Sequence, residues 1–151
     1  MYKIMKMDIK DYCEIISLWK NSKEIILYNY DDSRKNIKKF LEKNPNTCFI
    51  VKDNEEIIGT IMGGNDGRRG LIYHLFIKSC YREKGIGQKL LEKTEKGFRK
   101  EGIGKIYLLV MKKNTAGNIF WDKNEYKFDE KAHFRSKRIQ QSLKGGKICH
   151  K

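Results

Sequence analysis

Long apolar segments are missing from this 151-residue chain. Its longest apolar runs, such as residues 107–111, fall far short of the roughly 20 residues that a membrane-spanning helix needs. The first eleven residues interleave three lysines with Asp8, which is not the pattern of a secretory signal. The sequence therefore predicts neither a membrane span nor a signal peptide, and no membrane partner.

Closely spaced cysteine pairs are missing as well. The four cysteines form no C-x-x-C pair, and only Cys149 has a histidine at metal-site spacing, the neighbouring His150. Zinc sites usually combine such pairs. The pattern predicts no metal site and a reduced, cytoplasmic protein.

Arginine is scarce for so basic a chain. The 33 Lys and Arg residues oppose 19 Asp and Glu, which gives a net charge of +14, yet 26 of these cations are lysine and 7 are arginine. Bidentate contacts to phosphate and guanine favour arginine. The composition argues against specific nucleic-acid binding, and it leaves open whether the charge is surface composition or serves an anionic partner.

Enough apolar residues are present to fill the core of one domain. The chain is 39% hydrophobic and 11% aromatic, and domains cluster near about 100 to 150 residues. No repeat or linker divides it. We therefore predict a single domain at residues 1–139 and a short basic tail at residues 140–151.

Hydrophobic periodicity predicts an α+β fold. Strands are predicted from β-branched or alternating runs, and helices from apolar residues three and four positions apart. Asp8 and either Asp32 or Ser33 are the predicted N-caps of the first two helices. In chain order, the predicted elements are a strand at 2–7, helices from 8 and from 32 or 33, strands at 47–52, 57–63 and 71–78, a long helix from 86, a strand at 105–111, a short helix from 114, and one or two edge strands within 126–139.

A glycine-rich turn, residues 81–88, separates the strand at residues 71–78 from the long helix. The first N–H groups of a helix lack intrahelical partners, and the helix dipole there favours an anion such as pyrophosphate. Gly85 and Gly87 let a phosphate approach without a Cβ in the way, although an ordinary helix entry has the same spacing. Leu90 stands where a dinucleotide fingerprint needs glycine, and Gln88 where a P-loop needs lysine.

Two motifs resemble those of the GNAT superfamily of acetyl-CoA-dependent N-acetyltransferases. Residues 82–87, Arg-Glu-Lys-Gly-Ile-Gly, match its acyl-carrier signature Q/R-x-x-G-x-G/A. About thirty residues later the chain loosely matches a second signature, with Glu125 where glycine is usual. The matching positions are Asn114, Gly117, Phe120, Trp121, Lys123 and Tyr126. The order of elements over residues 1–139 also agrees.

The resemblance implies a fold and a cofactor site. The fold would be a mixed sheet of six to seven strands with about four flanking helices, and its parallel strands at 71–78 and 105–111 would splay apart. Acetyl-CoA would lie in that cleft, with its pantetheine arm paired to the strand backbone and its pyrophosphate on the glycine-rich turn. The implied cofactor-binding residues are Leu75, Phe76, Ile77, Arg82, Glu83, Lys84, Gly85, Ile86, Gly87, Gln88, Asn114 and Trp121.

The acid–base pair of related protein N-terminal acetyltransferases is absent, because Leu109 and Trp121 stand where those proteins carry a base Glu and an acid Tyr. Tyr73, His74 and Tyr126 are the remaining catalytic candidates. Strand alternation predicts that only one of Tyr73 and His74 faces the cleft. Tyr126 also fits a core aromatic, His74 also fits a partly buried strand histidine, and positioning with bulk water is a further alternative.

The acceptor is the least specified part. The resemblance implies that the segment between the first two helices, residues 28–32, forms a wall of the acceptor site. Its two carboxylates, Asp31 and Asp32, beside Tyr28 and Tyr30 can hold a cationic amine, and Tyr30 and Asp31 are the predicted acceptor residues. The same acidic run also suits a helix N-terminus. We predict an N-acetyltransferase that acts on a primary amine of a small molecule, peptide or protein by direct attack in a ternary complex. The alternative is a catalytically weak or inactive acyl-CoA-binding or nucleic-acid-binding protein with the same fold. The sequence predicts neither the identity of the amine nor an oligomeric state.

Overall fold

Five strands form one mixed sheet in the computed structural model, which describes residues 1–140. The sheet order is the chain order, and neighbouring strands are antiparallel except the last pair, which is parallel. The strands are β1 (Tyr2–Lys6), β2 (Phe49–Asp53), β3 (Glu56–Asn65), β4 (Gly70–Ile77) and β5 (Ile106–Leu108). This arrangement places β4 between the antiparallel part of the sheet and β5.

Four α-helices accompany the sheet within the described residues. Ser33 Oγ accepts a hydrogen bond from the Asn36 N–H at the start of the second helix, at 3.2 Å. Asp8 caps a short 3-10 turn that precedes the first helix, because its carboxylate accepts from the Lys10 N–H. The helices are α1 (Tyr12–Lys20), α2 (Arg34–Lys43), α3 (Ile86–Lys100) and α4 (Thr115–Lys123).

The sheet separates two apolar clusters. Trp19 of α1 and Ile37 of α2 pack in one cluster with Ile50 of β2. Leu90 and Phe98 of α3 pack in the other. Successive residues of a strand point to opposite faces, so the same strands supply both clusters. Each large apolar side chain buried in this way contributes about 1.5–3 kcal/mol to stability.

The mixed α+β class and the number of helices are confirmed, but the strand count is lower than predicted. Residues 1–140 contain five strands rather than six to seven. Residues 126–139, predicted to hold one or two edge strands, form neither helix nor strand. This segment is dense in charge, and its apolar side chains Phe128, Phe134 and Ile139 are exposed. Because seven of its fourteen residues are charged, packing this segment on the sheet would bury little apolar area for the charges it would desolvate.

The structure shortens one predicted strand and describes almost none of the predicted tail. The strand predicted at residues 105–111 is only three residues long. From residue 141 onward, the predicted basic tail at 140–151 lies outside the described residues. In the part of the chain that is described, no helix combines the length and apolarity needed to cross a bilayer.

Candidate active site

The parallel strands β4 and β5 separate after three residue pairs. Residues 70–72 of β4 pair with residues 106–108 of β5, and the pairing ends there although β4 continues to Ile77. The other edge of β4 stays paired with β3 as far as Ile77. Residues 73–77 therefore present a strand edge to a cleft, and such edges bind extended ligands. The predicted cofactor residues Leu75, Phe76 and Ile77 lie on this stretch.

The turn from β4 into α3 leaves the start of the helix open. Gly85 is the N-cap residue, with φ 75°, and it provides no side-chain cap for the first N–H groups. Glu83 also has a positive φ, of 60°, which curls the loop. A Cβ added at Gly85 would meet nothing within 4 Å. The first N–H groups of α3 are thus available to an anion beside the strand edge.

Arg82 joins this loop to the segment that follows α1. Its Nε donates to the carbonyl of Ile77 at 2.8 Å, and its Nη1 lies 3.0 Å from Glu24 Oε1. A hydrogen bond from Ser22 and the proximity of Arg82 lower the pKa of Glu24. A cavity of about 290 Å³ adjoins this pair, with Phe76 in its lining. Arg82 thus adds a guanidinium to the loop that presents the helix N–H groups.

A β-bulge at His74 reshapes the middle of β4. Two residues of β4, His74 and Leu75, stand against Ile61 of β3 alone. His74 has φ 49°, which is uncommon for a residue other than glycine. Bulges re-aim side chains, and here Tyr73 and His74 line the same cavity. The prediction that alternation would send them to opposite faces is therefore wrong.

Two buried side chains hold this bulge. Trp19 Nε1 donates to Thr60 Oγ1 at 2.9 Å, and Thr60 Oγ1 donates to the carbonyl of His74 at 2.8 Å. The Trp19 and His74 ring centroids are 4.4 Å apart, with the planes tilted by 55°. A sparsely populated backbone conformation costs about 1–3 kcal/mol and persists where its surroundings fix it. These contacts supply that constraint at His74.

His74 forms a close pair with Asp32. Its Nε2 lies 2.8 Å from Asp32 Oδ1, and the two side chains are 17% and 6% exposed. The other oxygen, Oδ2, accepts from the Tyr28 N–H at 2.8 Å. Because an ionised carboxylate only accepts hydrogen bonds, His74 donates to Asp32 through Nε2, and the neutral form of the ring has its lone pair on Nδ1.

Sequence reasoning did not connect Asp32 with His74. It left Asp32 and Ser33 as alternative helix caps and Asp32 as a possible acceptor contact, whereas in the structure Ser33 caps α2 and the Asp32 carboxylate binds His74. The two residues are 42 positions apart, so no local spacing connects them. One feature of the sequence could have indicated another role. Asp31, Asp32 and Ser33 are three consecutive residues of types that cap helices, and a helix needs only one N-cap.

Asp32 and His74 line a cavity of about 450 Å³ whose other lining residues include an aspartate and several aromatic residues. It contains both predicted acceptor residues, Tyr30 and Asp31. None of the nine described residues that line it is lysine or arginine, although the chain has 33 such cations. The lining residues are Tyr30, Asp31, Asp32, Asn36, Ile37, Phe40, Met62, Tyr73 and His74.

Comparison with known proteins places this sequence in a family. The sequence model of the acetyltransferase (GNAT) family matches residues 11–126. The chain belongs to this family. An acetyltransferase of Sodalis glossinidius is 32% identical over 129 residues, which cover 85% of this chain and 89% of that protein. An acetyltransferase of Photorhabdus laumondii is 34% identical over 116 residues, which cover 77% and 80%.

Solved structures share the GNAT fold at lower identity. The PaiA N-acetyltransferase of Thermoplasma acidophilum, in complex with coenzyme A, has a TM-score of 0.71 at 23% identity and covers 82% of this chain and 88% of its own. A Clostridium acetobutylicum protein described as a predicted acetyltransferase, with acetyl-CoA, has a TM-score of 0.69 at 20% identity and covers 90% and 96%. The predicted GNAT relationship and the acyltransferase class are confirmed.

Tyr73 contributes a neutral phenol to the cavity of this GNAT acetyltransferase. Burial raises its pKa, and the proximity of Tyr107 and Asp31 raises it further. Its ring meets that of Phe40 edge-on, with centroids 5.8 Å apart. At neutral pH the hydroxyl therefore keeps its proton and can donate a hydrogen bond.

Three other predicted site residues have structural contacts and are not among the cavity residues. The Asn114 side chain accepts from the Gly117 N–H and so caps α4. Trp121 is 8% exposed, and its ring lies 5.1 Å from that of Tyr126. The Tyr126 hydroxyl donates to Glu95 Oε1 at 2.8 Å, and burial followed by this bond raises the Tyr126 pKa. The cofactor role of Asn114 and Trp121 and the catalytic role of Tyr126 stay predictions.

The described cysteines of this GNAT protein differ in state. Cys80 is a free, exposed thiol, and Cys13 is disulfide-bonded, so the prediction of a fully reduced protein is wrong. Cys48 is buried, and burial raises the pKa of its thiol to about 12, so it holds little of the reactive thiolate. Among residues 1–140, no group of three or more His, Cys, Asp or Glu side chains is arranged to hold a metal ion.

Proposed function

We propose that this acetyltransferase moves the acetyl group of acetyl-CoA to a primary amine of a small molecule, peptide or protein by direct attack in a ternary complex. The observation that carries the proposal is the Asp32–His74 pair, which lies in an acidic cavity on β4. The same strand diverges from β5 immediately before the pair. A base, an acceptor cavity and an open strand edge therefore meet on one strand.

The residues around the divergence fit acetyl-CoA. The edge at residues 73–77 can pair with the amide groups of a pantetheine arm, and the start of α3 can bind a pyrophosphate through its N–H groups. The open space at Gly85 leaves room for phosphate oxygens. When bound, acetyl-CoA supplies the thioester whose carbonyl carbon the amine attacks. Structural neighbours with coenzyme A or acetyl-CoA support this choice.

His74 is the proposed general base. An alkyl ammonium has a reference pKa near ~10.4, so the acceptor must lose a proton before it attacks at neutral pH. Nδ1 of His74 takes this proton, directly or through one water, while the other ring hydrogen stays on Nε2, which donates it to Asp32. The buried Asp32 carboxylate fixes the tautomer and stabilises the imidazolium that forms.

Tyr73 fits a hydrogen-bonding role better than that of a general acid. A thiol has a reference pKa of about 8.5, whereas burial raises the pKa of Tyr73 above its usual value near 10. Proton transfer from Tyr73 to a departing sulfur is therefore uphill. We assign Tyr73 to holding the acceptor in the cavity. The attacking nitrogen loses its second proton as the amide forms, and water passes this proton to the departing sulfur.

The charge of the cavity supports a cationic acceptor. Asp31 and Asp32 line it, no lysine or arginine is among its described lining residues, and Arg138 pairs with Asp31 at the exposed rim. The neighbouring rings of Tyr30 and Tyr73 add faces that attract a cation.

The catalytically inactive alternative rests on the absence of the base Glu and acid Tyr of related proteins, at Leu109 and Trp121, and the Asp32–His74 pair offers another base. A single domain at residues 1–139 and a cytoplasmic location stay predictions.

Binding and turnover test this function separately. Isothermal calorimetry should detect acetyl-CoA, and Gly87→Glu should weaken its binding more than tenfold, because a carboxylate would stand at the phosphate loop. The fold should tolerate this change, since a Cβ at Gly87 meets Phe120 at an ordinary 3.4 Å. Gly104→Glu is the matched control, because the same charge enters open space there. Unchanged affinity in folded Gly87→Glu would refute the phosphate assignment.

Turnover is measured as the rate at which free coenzyme A is released from acetyl-CoA in the presence of each of a panel of primary amines. The proposal requires release that depends on the amine and an acetylated product identified by mass spectrometry. Tight acetyl-CoA binding without release for any small amine, peptide or protein amine would instead favour the inactive binding protein.

A further inference from the structure

We propose that the acceptor carries a second cationic group, apart from the amine that is acetylated, and that this group binds between Asp31 and Tyr28, where the guanidinium of Arg138 lies in the free protein. The inference rests on the proposed function, because it concerns the same cavity. It narrows the acceptor class to diamines, polyamines and amines that bear a guanidinium.

The side chain of Arg138 marks a site for a planar cation. Its Nη2 lies 2.7 Å from Asp31 Oδ2 and its Nη1 lies 3.4 Å from Asp31 Oδ1. Its Cζ is 4.9 Å from the centroid of the Tyr28 ring. A carboxylate that meets both arms of a guanidinium, together with an aromatic ring, is the usual protein environment for this cation.

Asp31 connects this site with the proposed base. It lines the cavity that contains His74, and its neighbour Asp32 holds the His74 ring. The Asp32 side chain is 6% exposed, whereas that of Asp31 is 52% exposed. One carboxylate therefore lies at the bottom of the cavity and the next lies at its rim. An acceptor whose amine reaches His74 can place a second cation at Asp31.

Arg138 is placed so that a ligand can replace it. It belongs to residues 127–140, which form neither helix nor strand and are exposed throughout. Its contact with Asp31 joins residues 107 positions apart, and its own side chain is 40% exposed. Exposed ion pairs add little stability, so a cation held by both the rim and the cavity can displace it.

Charge complementarity supports the same class of acceptor. The cavity provides two carboxylates and no lysine or arginine among its described lining residues, in a chain of net charge +14. Asp32 is paired with His74 near the reacting amine. Asp31 is then matched by Arg138 in the free protein and by the second cation of the acceptor in the complex.

The first experiment compares amines that differ only in the distal group. Agmatine and 1,4-diaminobutane carry a second cation, whereas 4-amino-1-butanol and butylamine do not, and diamines of three to six carbons cover other spacings. We expect kcat/KM for the best dication to exceed that for butylamine at least tenfold. In Asp31→Asn this ratio should fall at least fivefold. Equal kcat/KM for all amines, or a ratio unchanged by Asp31→Asn, would overturn the proposal.

The second experiment removes the internal cation. Arg138→Gln should lower the KM of the best dication severalfold relative to that of butylamine, because the competing guanidinium is gone. Arg135→Gln is the matched control, since it removes an exposed arginine from the same segment. A higher KM for dications in Arg138→Gln would mean that Arg138 is part of the acceptor site, and it would overturn the displacement.

Binding without turnover separates this inference from the proposed function. Calorimetry with agmatine, the diamines and butylamine, in the absence of acetyl-CoA, should give tighter binding of a dication that weakens in Asp31→Asn. If that holds while no amine is acetylated, the cation site stands and the proposed function fails. If amines are acetylated but dications and butylamine bind alike, the proposed function stands and this inference fails.

Discussion

The cofactor half and the acceptor half of the candidate site differ in the groups that form them. The cofactor half, at the junction of β4 and α3, consists mainly of backbone groups: a strand edge, a glycine turn and the first N–H groups of a helix. The acceptor half consists of side chains from separate elements, joined by Asp32 and His74. Sites made of backbone groups therefore follow from local sequence, whereas sites made of side chains depend on how distant segments pack.

Removing the proposed base should affect the acceptor half and leave the cofactor half intact. His74→Asn should lower kcat by about 10² to 10⁴-fold, the usual contribution of a general base, and should leave acetyl-CoA affinity unchanged. Asparagine suits this position because it tolerates the left-handed backbone that His74 adopts, with φ 49°. Steady-state kinetics and calorimetry measure the two quantities.

His133→Asn is the control for this experiment, because it makes the same change in the exposed segment after α4. Asp32→Asn should reproduce a smaller part of the loss of kcat, since the ring loses its fixed tautomer and a negative charge. A kcat within threefold of wild type in folded His74→Asn would remove the base assignment.

A second prediction tests whether the scaffold of the cofactor half is only structural. Trp121→Ala should cost about 3–5 kcal/mol in free energy of unfolding, because it empties a core position. Trp121→Tyr should stay close to wild type in stability and should leave turnover the same or higher. Chemical denaturation gives the free energies. A large loss of kcat in a stable Trp121→Phe variant would instead assign catalysis to the indole N–H.

Much of the fold could be predicted, because local chemistry dictates it. The hairpin between β2 and β3 turns at Asn54, which has φ 53° and is a residue type that tolerates this backbone. The stripe of apolar residues at helical spacing predicted α3, and Gly102, with φ 74°, follows its end. The strands expected within residues 126–139 could not be excluded in this way, because strand formation there depends on whether the sheet offers an edge and an apolar face.

In the candidate site, too, local features could be predicted and packing-dependent features could not. Gly85 and Gly87 indicated an anion site because a helix N-terminus binds anions through its own backbone. The bulge at His74 could not be predicted, since it depends on the buried hydrogen bonds of Trp19 and Thr60. Without the bulge, alternation separates Tyr73 from His74, and the shared cavity cannot be inferred.

The smallest predicted effect concerns Tyr126, which lies away from the acceptor cavity. Tyr126→Phe removes the hydrogen bond to Glu95 and should cost about 1 kcal/mol of stability at pH 7. Burial and this bond raise the Tyr126 pKa in the folded state, so its contribution is full below the unfolded value near ~10 and is lost as the pH rises further. The stability difference between wild type and Tyr126→Phe should therefore shrink above about pH 10. Turnover should not change, and a kcat reduced more than tenfold in Tyr126→Phe would return this hydroxyl to the catalytic site.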